Sequence, residues 1–140
     1  MDEQLTFTYT ISGDDFTRAG EASSAIKNKL KLLGVNASAI RKVAIAMYEG
    51  EINMVIHANG GTITVEISHD SIRMILADTG PGIADIDKAM EKGYSTAPEE
   101  VRALGFGAGM GLPNMKKYSD YMNIETTIGV GTTVTMDVHL

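Results

Sequence analysis

The chain contains no cysteine. That excludes disulfides and cysteine-held zinc, and it suits a reducing compartment. The three histidines, His57, His69 and His139, are far apart and show no metal-ligand spacing. Nowhere is there a run of about 18 apolar residues, so no bilayer span is expected. The N-terminus "MDEQLTFTYT" begins acidic and lacks the basic-then-apolar order of a signal peptide. The expectation is a soluble, cytoplasmic protein with no membrane partner. Basic residues are also in deficit, 12 against 18 acidic, for a net charge of −6. Phosphate backbones need a basic surface, so no nucleic-acid partner is expected. A single nucleotide needs much less: backbone N–H groups and a metal ion can hold it. No repeat, low-complexity tract or second domain is visible. The 140 residues read as one domain, 1–140, able to bury roughly two thirds of the unfolded surface.

"LTFTYTIS", residues 5–12, alternates apolar with hydroxyl residues and reads as a strand. Asp14 is a candidate N-cap for a helix running to Leu33, with Phe16, Ala19, Ala22, Ile26, Leu30 and Leu33 on one stripe and Gly34 as the stop. Asn36 or Ser38 starts a second helix, which runs to about Ala58 and ends at "NGG". "TITVEISH" and "SIRMILADT" read as a hairpin turning at Asp70–Ser71. A short helix is expected near Asp85–Lys92. Residues 93–110 hold four glycines and a proline, which implies a mobile segment. A helix from Gly111 to about Asp120 and two strands turning at Gly129–Gly131 close the chain. Short turns between neighbouring strands favour an α+β, two-layer sandwich: a mixed, mostly antiparallel sheet with helices on one face.

Four pieces carry chemistry. In "YEGEINMVIHA", Glu49 and Asn53 are four apart and share a helix face. Such pairs also abound on ordinary helix surfaces, but this one sits among apolar residues. An Asn oxygen can ligate magnesium, and a carboxylate can take a proton from an attacking hydroxyl. In "ILADTGPGI", Ile72, Met74 and Leu76 share strand parity with Asp78, which puts a carboxylate on the apolar face. That is costly unless something donates to it. A nucleobase amine would, with Gly80 and Gly82 letting the ring approach; the same residues also make a serviceable turn. "GFGAGMGL", residues 105–112, opens onto a helix and offers N–H groups to phosphates, or else is a flexible linker. In "GTTVTMDVHL", Thr132 shares parity with Val134, Met136 and Val138, whereas Thr133 lies with Asp137 and His139 on the polar face.

"EGEIN", "DTGPGI", "GFGAGMGL" and "GTTVT", in this order, resemble the successive boxes of the GHKL ATPase/kinase superfamily (gyrase, heat-shock chaperones, mismatch-repair ATPases, histidine kinases). The resemblance covers roughly residues 40–140. The short form, with "GYST" and "GLPNMKKYSDYMNIETTIGVGTTV", is most similar to stand-alone bacterial anti-sigma factors and serine-protein kinases of sporulation and stress-response switches. It implies ATP and Mg²⁺. Glu49 would be the base and Asn53 the Mg²⁺ ligand. Asp78 would accept the adenine amine, with Gly80, Gly82 and Ile83 around the base. Gly105, Gly107, Ala108, Gly109, Met110, Gly111 and Leu112 would wrap the phosphates, within a lid over about 93–110. Thr132 would support the adenine contact, with Thr133 the weaker candidate. His57 matches a histidine of the short kinases, although a satisfied helix histidine explains it as well.

Departures from the family pattern are Gly50, Met54 and the extra acid Glu51. Gly50 inside a helix costs up to about 1 kcal/mol relative to Ala, which implies looseness near Glu49. The resemblance further implies a serine/threonine protein kinase that phosphorylates an anti-anti-sigma (STAS-type) protein, sequesters a sigma factor and dimerises through its exposed sheet. The alternatives are an ATP/ADP-sensing module without transfer, or a subunit that activates a phosphatase. A guanine would oppose the Asp78 acceptor with another acceptor. Loss of a charge-assisted bond of about 1.5–3 kcal/mol implies a preference for ATP over GTP of about tenfold or more.

Overall fold

The computed structural model describes residues 4–13, 18–57, 60–83, 90 and 111–140. In chain order these form β1 (Leu5–Ser12), α1 (Glu21–Leu32), α2 (Ala37–His57), β2 (Gly60–Ile67), β3 (Ser71–Asp78), α3 (Gly111–Lys117), β4 (Tyr121–Thr127) and β5 (Gly131–His139). The strands make one sheet in the order β1-β2-β3-β5-β4. Every pairing is antiparallel, so the sheet is uniform where a mixed one was allowed for.

Period-two alternation sorts the strand residues as expected. Ile63, Val65, Ile72, Met74, Met136 and Val138 point to one face and are sealed from solvent there beneath Ile26 and Leu30 of α1 and Val43, Ala46 and Met47 of α2. Each such side chain stabilises the fold by about 1.5–3 kcal/mol relative to exposure. Thr6, Thr8, Thr62 and Thr64 take the other face, exposed or half-exposed. Lys29 of α1 fastens the helix layer to β1. Its ammonium donates to the Tyr9 hydroxyl at 2.8 Å and sits 4.3 Å from the Phe7 ring centroid.

Three local expectations change. α1 begins at Glu21 behind Gly20, which offers no side-chain cap; Asp14 and Phe16, as well as the helix expected near 85–92 and the segment 93–110, lie outside the described residues. Leu33 leaves the buried stripe, 48% exposed, because the helix stops before it and Gly34 turns the chain. The β2–β3 connection is longer than Asp70–Ser71. Ser68 N–H donates to the Ser71 carbonyl at 2.9 Å and its hydroxyl to Asp70 Oδ1 at 2.9 Å, so a backbone bond closes the turn and a side-chain bond inside it adds to that closure. The start of α2 is as read: Asn36 Oδ1 caps it by accepting from Ala39 N–H at 2.8 Å.

Candidate functional site

Asp78 ends β3, directly opposite Thr132 of β5 on one side and Gly61 of β2 on the other. Its inward parity holds. It continues the line of Ile72, Met74 and Leu76, and Thr132 beside it is 7% exposed. Asp78 Oδ1 accepts two backbone N–H groups, from Gly80 at 2.9 Å and Thr132 at 3.2 Å. The first closes an Asx-turn and the second ties β3 to β5. Asp78 Oδ2 accepts nothing among the described residues, whereas Oδ1 is pinned by two amides.

The turn after Asp78 is docked onto the β4–β5 hairpin. Gly129 N–H donates to the Pro81 carbonyl at 2.9 Å, and Ile83 N–H donates to Thr126 Oγ1 at 2.9 Å. Gly82 (φ 86°) is where this docking requires glycine: a Cβ would lie 2.8 Å from the Thr127 carbonyl oxygen and 3.0 Å from Ile128 Cα. Thr126, unmarked in the sequence reading, stands opposite Thr132, with the two hydroxyl oxygens 2.9 Å apart. Thr133 takes the other face of β5, aligned with Ala77 and Glu125, and so does not join Asp78.

α2 supplies the facing wall. Gly50 is buried against β3, and a Cβ there would overlap Leu76 Cδ2 and come within 3.2 Å of Met115 Cε. The looseness expected at Gly50 is therefore a close contact: the missing side chain is what lets α2 lie on Leu76. One turn on, Asn53 meets the start of α3. A Cβ on Gly111 would be 2.8 Å from Asn53 Nδ2 and 2.9 Å from its Oδ1. Among the described residues Asn53 Nδ2 makes a weak contact to Met115 Sδ, at 3.9 Å, and its Oδ1 accepts nothing. A free amide oxygen is a suitable ligand for a hard cation that keeps most of its waters. Leu112 is half-buried against the core.

Glu49, half-buried on the same face of α2, receives a long hydrogen bond from Asn114 Nδ2 at 3.5 Å. Burial raises its carboxyl above the ordinary range, and the Asn114 amide offsets this only in part. Glu51 has a different place. It is 2% exposed, and its carboxylate accepts Gly20 and Ala22 N–H through Oε2 at 3.0 and 3.1 Å and Ser23 N–H through Oε1 at 3.0 Å. It is the missing cap of α1, supplied from α2, and not a second acid in the site. Gly105, Gly107, Ala108, Gly109 and Met110 lie outside the described residues, as does the His57 side chain at the end of α2.

The site thus joins a pinned carboxylate and an amide oxygen, each with an oxygen unpartnered among the described residues, a neighbouring buried hydroxyl and a carboxyl whose pKa burial raises. The donor set fits a purine base and a magnesium-bound phosphate chain. The family model for the histidine kinase-, DNA gyrase B- and HSP90-like ATPase matches residues 43–140. An anti-sigma F factor of Thermoanaerobacter sp. (strain X514) is 32% identical over 142 residues, covering 98% of this chain and 92% of that protein. The serine/threonine-protein kinase RsbT of Bacillus subtilis (strain 168) is 32% identical over 112 residues, covering 77% and 78%. Among solved structures, the RsbU and RsbW domains of a Mycobacterium tuberculosis protein superpose with a TM-score of 0.61 at 16% identity, over 96% of this chain and 32% of that one. That last likeness is one of fold.

Proposed function

Because the chain belongs to the histidine kinase-, DNA gyrase B- and HSP90-like ATPase family, we propose that it is an ATP- and Mg²⁺-dependent serine/threonine protein kinase acting as an anti-sigma regulatory factor. It transfers the γ-phosphoryl group of ATP to a STAS-type partner and sequesters a sigma factor, and it is a homodimer through the open face of its sheet. The names of the relatives, an anti-sigma F factor and a serine/threonine-protein kinase, support the two halves of this reading. The observation that carries it is Asp78, on the inward face opposite Thr132, with Oδ1 fixed by Gly80 and Thr132 N–H and Oδ2 unpartnered among the described residues.

Asp78 Oδ2 receives the exocyclic amine of adenine, and the docked turn at Gly80 and Gly82 forms the surface against which the base rests. Asn53 Oδ1 would hold the magnesium. Bound ATP and Mg²⁺ supply the transferable phosphoryl group and the charge that neutralises it. Glu49 accepts the proton of the partner's serine hydroxyl at Oε2, the oxygen that Asn114 leaves open. Its raised pKa strengthens the base at the cost of a smaller ionised fraction at low pH.

Incubation with γ-labelled ATP, Mg²⁺ and purified STAS-type proteins tests the proposal. Label on a partner serine is the expected result. Nucleotide binding without label on any STAS protein would mark the chain as a nucleotide-sensing or phosphatase-activating switch subunit instead.

A further inference from the structure

Thr126 Oγ1 lies at the centre of three contacts: Ile83 N–H at 2.9 Å, Thr132 Oγ1 at 2.9 Å and the Gly131 carbonyl oxygen at 3.3 Å. A hydroxyl has one proton to give. The Ile83 amide can only donate, so Thr126 accepts there. Its own proton then has two destinations. O–H···O bonds are strongest between about 2.5 and 3.0 Å, so the proton goes to Thr132 at 2.9 Å rather than to the longer Gly131 contact at 3.3 Å. With Thr126 donating to Thr132, the Thr132 proton is displaced from that bond. Thr132 Oγ1 has no other acceptor among the described residues, and it shares a sheet face and a cross-strand pairing with Asp78.

We infer that Thr126 is a positioning and specificity-determining residue for the purine. The chain Ile83 N–H to Thr126 O–H to Thr132 O–H runs in one direction, so that Thr132 presents a donor beside the Asp78 acceptor. An acceptor and a donor side by side match the amine and the N1 of adenine. They oppose both the O6 and the N1–H of guanine. Aligned hydrogen bonds reinforce one another in a low-dielectric setting, so the amide of the loop at Ile83 feeds the polarity of a hydroxyl on another strand. Thr126 touches no base itself and acts through Thr132. The inference rests on the nucleotide reading above and adds to it which residue sets the hydrogen-bonding sense of the pocket.

The test measures dissociation constants for ADP and for 1-deaza-ADP, in which carbon replaces the N1 acceptor, in the wild type, Thr126→Val and Thr126→Ser. Thermal melts of each protein confirm folding. In the wild type, 1-deaza-ADP should bind about tenfold more weakly than ADP, the equivalent of about 1.4 kcal/mol. Thr126→Val should bind ADP more weakly and distinguish the two ligands less than threefold. Thr126→Ser should restore the wild-type ratio. A purely structural role, loosening the loop at Ile83, would weaken both ligands alike and keep the ratio. An undiminished ratio in folded Thr126→Val therefore overturns the inference and leaves nucleotide binding standing, as does an equal affinity of the wild type for the two ligands. Failure of the wild type to bind either ligand removes the nucleotide reading and this inference with it.

Discussion

The Ser23 amide N–H donates to Glu51 Oε1 at 3.0 Å across 28 positions of sequence, and Gly20 and Ala22 donate to the other oxygen of the same carboxylate. One buried side chain of α2 therefore satisfies the first turn of α1, where the macrodipole also favours negative charge. Since α2 carries Glu49 and Asn53 as well, the cap fixes the helix that bears the candidate chemistry.

Replacing Glu51 by Gln puts an amide NH₂ against backbone N–H groups, and Glu51→Ala leaves all three donors without a partner. Unmade buried hydrogen bonds cost about 1–3 kcal/mol each, so Glu51→Ala should lose at least about 3 kcal/mol. For a domain of this size that is a fall in melting temperature of about 10 °C, read by circular dichroism. A loss below about 1 kcal/mol would mean that water replaces the cap.

Gly50→Ala offers a sharper contrast, because helix propensity alone predicts a gain of up to about 1 kcal/mol. The Cβ meets Leu76, which is 3% exposed, so overpacking should win and destabilise by about 1–3 kcal/mol. Leu76→Ala empties the space the new methyl needs. In denaturant titrations the double variant should be less destabilised than the sum of the two single ones.

Asp78→Asn separates the two oxygens of that side chain. The amide oxygen can still accept Gly80 and Thr132 N–H, so the melting temperature should barely change. The NH₂ now faces the adenine amine, and ATP affinity should fall at least about tenfold, the equivalent of losing a charge-assisted bond of about 1.5–3 kcal/mol. Isothermal titration with ATP and GTP should show the preference for ATP shrinking in parallel. Unchanged ATP binding would remove the carboxylate from base recognition.

Glu49→Gln should abolish phosphoryl transfer and spare nucleotide binding. The pH dependence follows from the raised carboxyl. The folded chain holds this proton more tightly than the unfolded one, so the stabilising contribution is complete below the unfolded carboxyl pKa and is lost as pH rises through the higher folded value. At neutral pH the Gln variant should therefore melt slightly higher than wild type, and near pH 4 the difference should vanish. Transfer by the wild type should rise with pH through the same raised value, because the base works ionised. Label transfer measured across a pH series checks this; a rate that does not fall as the medium is acidified would exclude Glu49 as the base.

Much of the fold was legible because it is local. Strand parity located Asp78 and Thr132 on the buried face, and four-residue spacing joined Glu49 to Asn53. What escaped the reading is long-range. The Glu51 cap, the Asn114 contact to Glu49 and the bond from Ile83 to Thr126 span 29, 65 and 43 positions, and no local pattern encodes them. Thr126 did carry a signal: it continues the inward parity of Met122 and Ile124. Gly50 was misread for a related reason. Its cost to an isolated helix can be read from sequence, but the approach of Leu76 cannot.

Among the described strands β5 comes last in sequence, yet it lies between β3 and β4 in the sheet. During synthesis, β3 and β4 therefore lack the strand that joins them until β5 has been made. Thr132 and the amide that steadies Asp78 arrive together with that final insertion. On the proposed nucleotide reading, insertion of β5 and assembly of the Asp78–Thr132 pair are therefore one event.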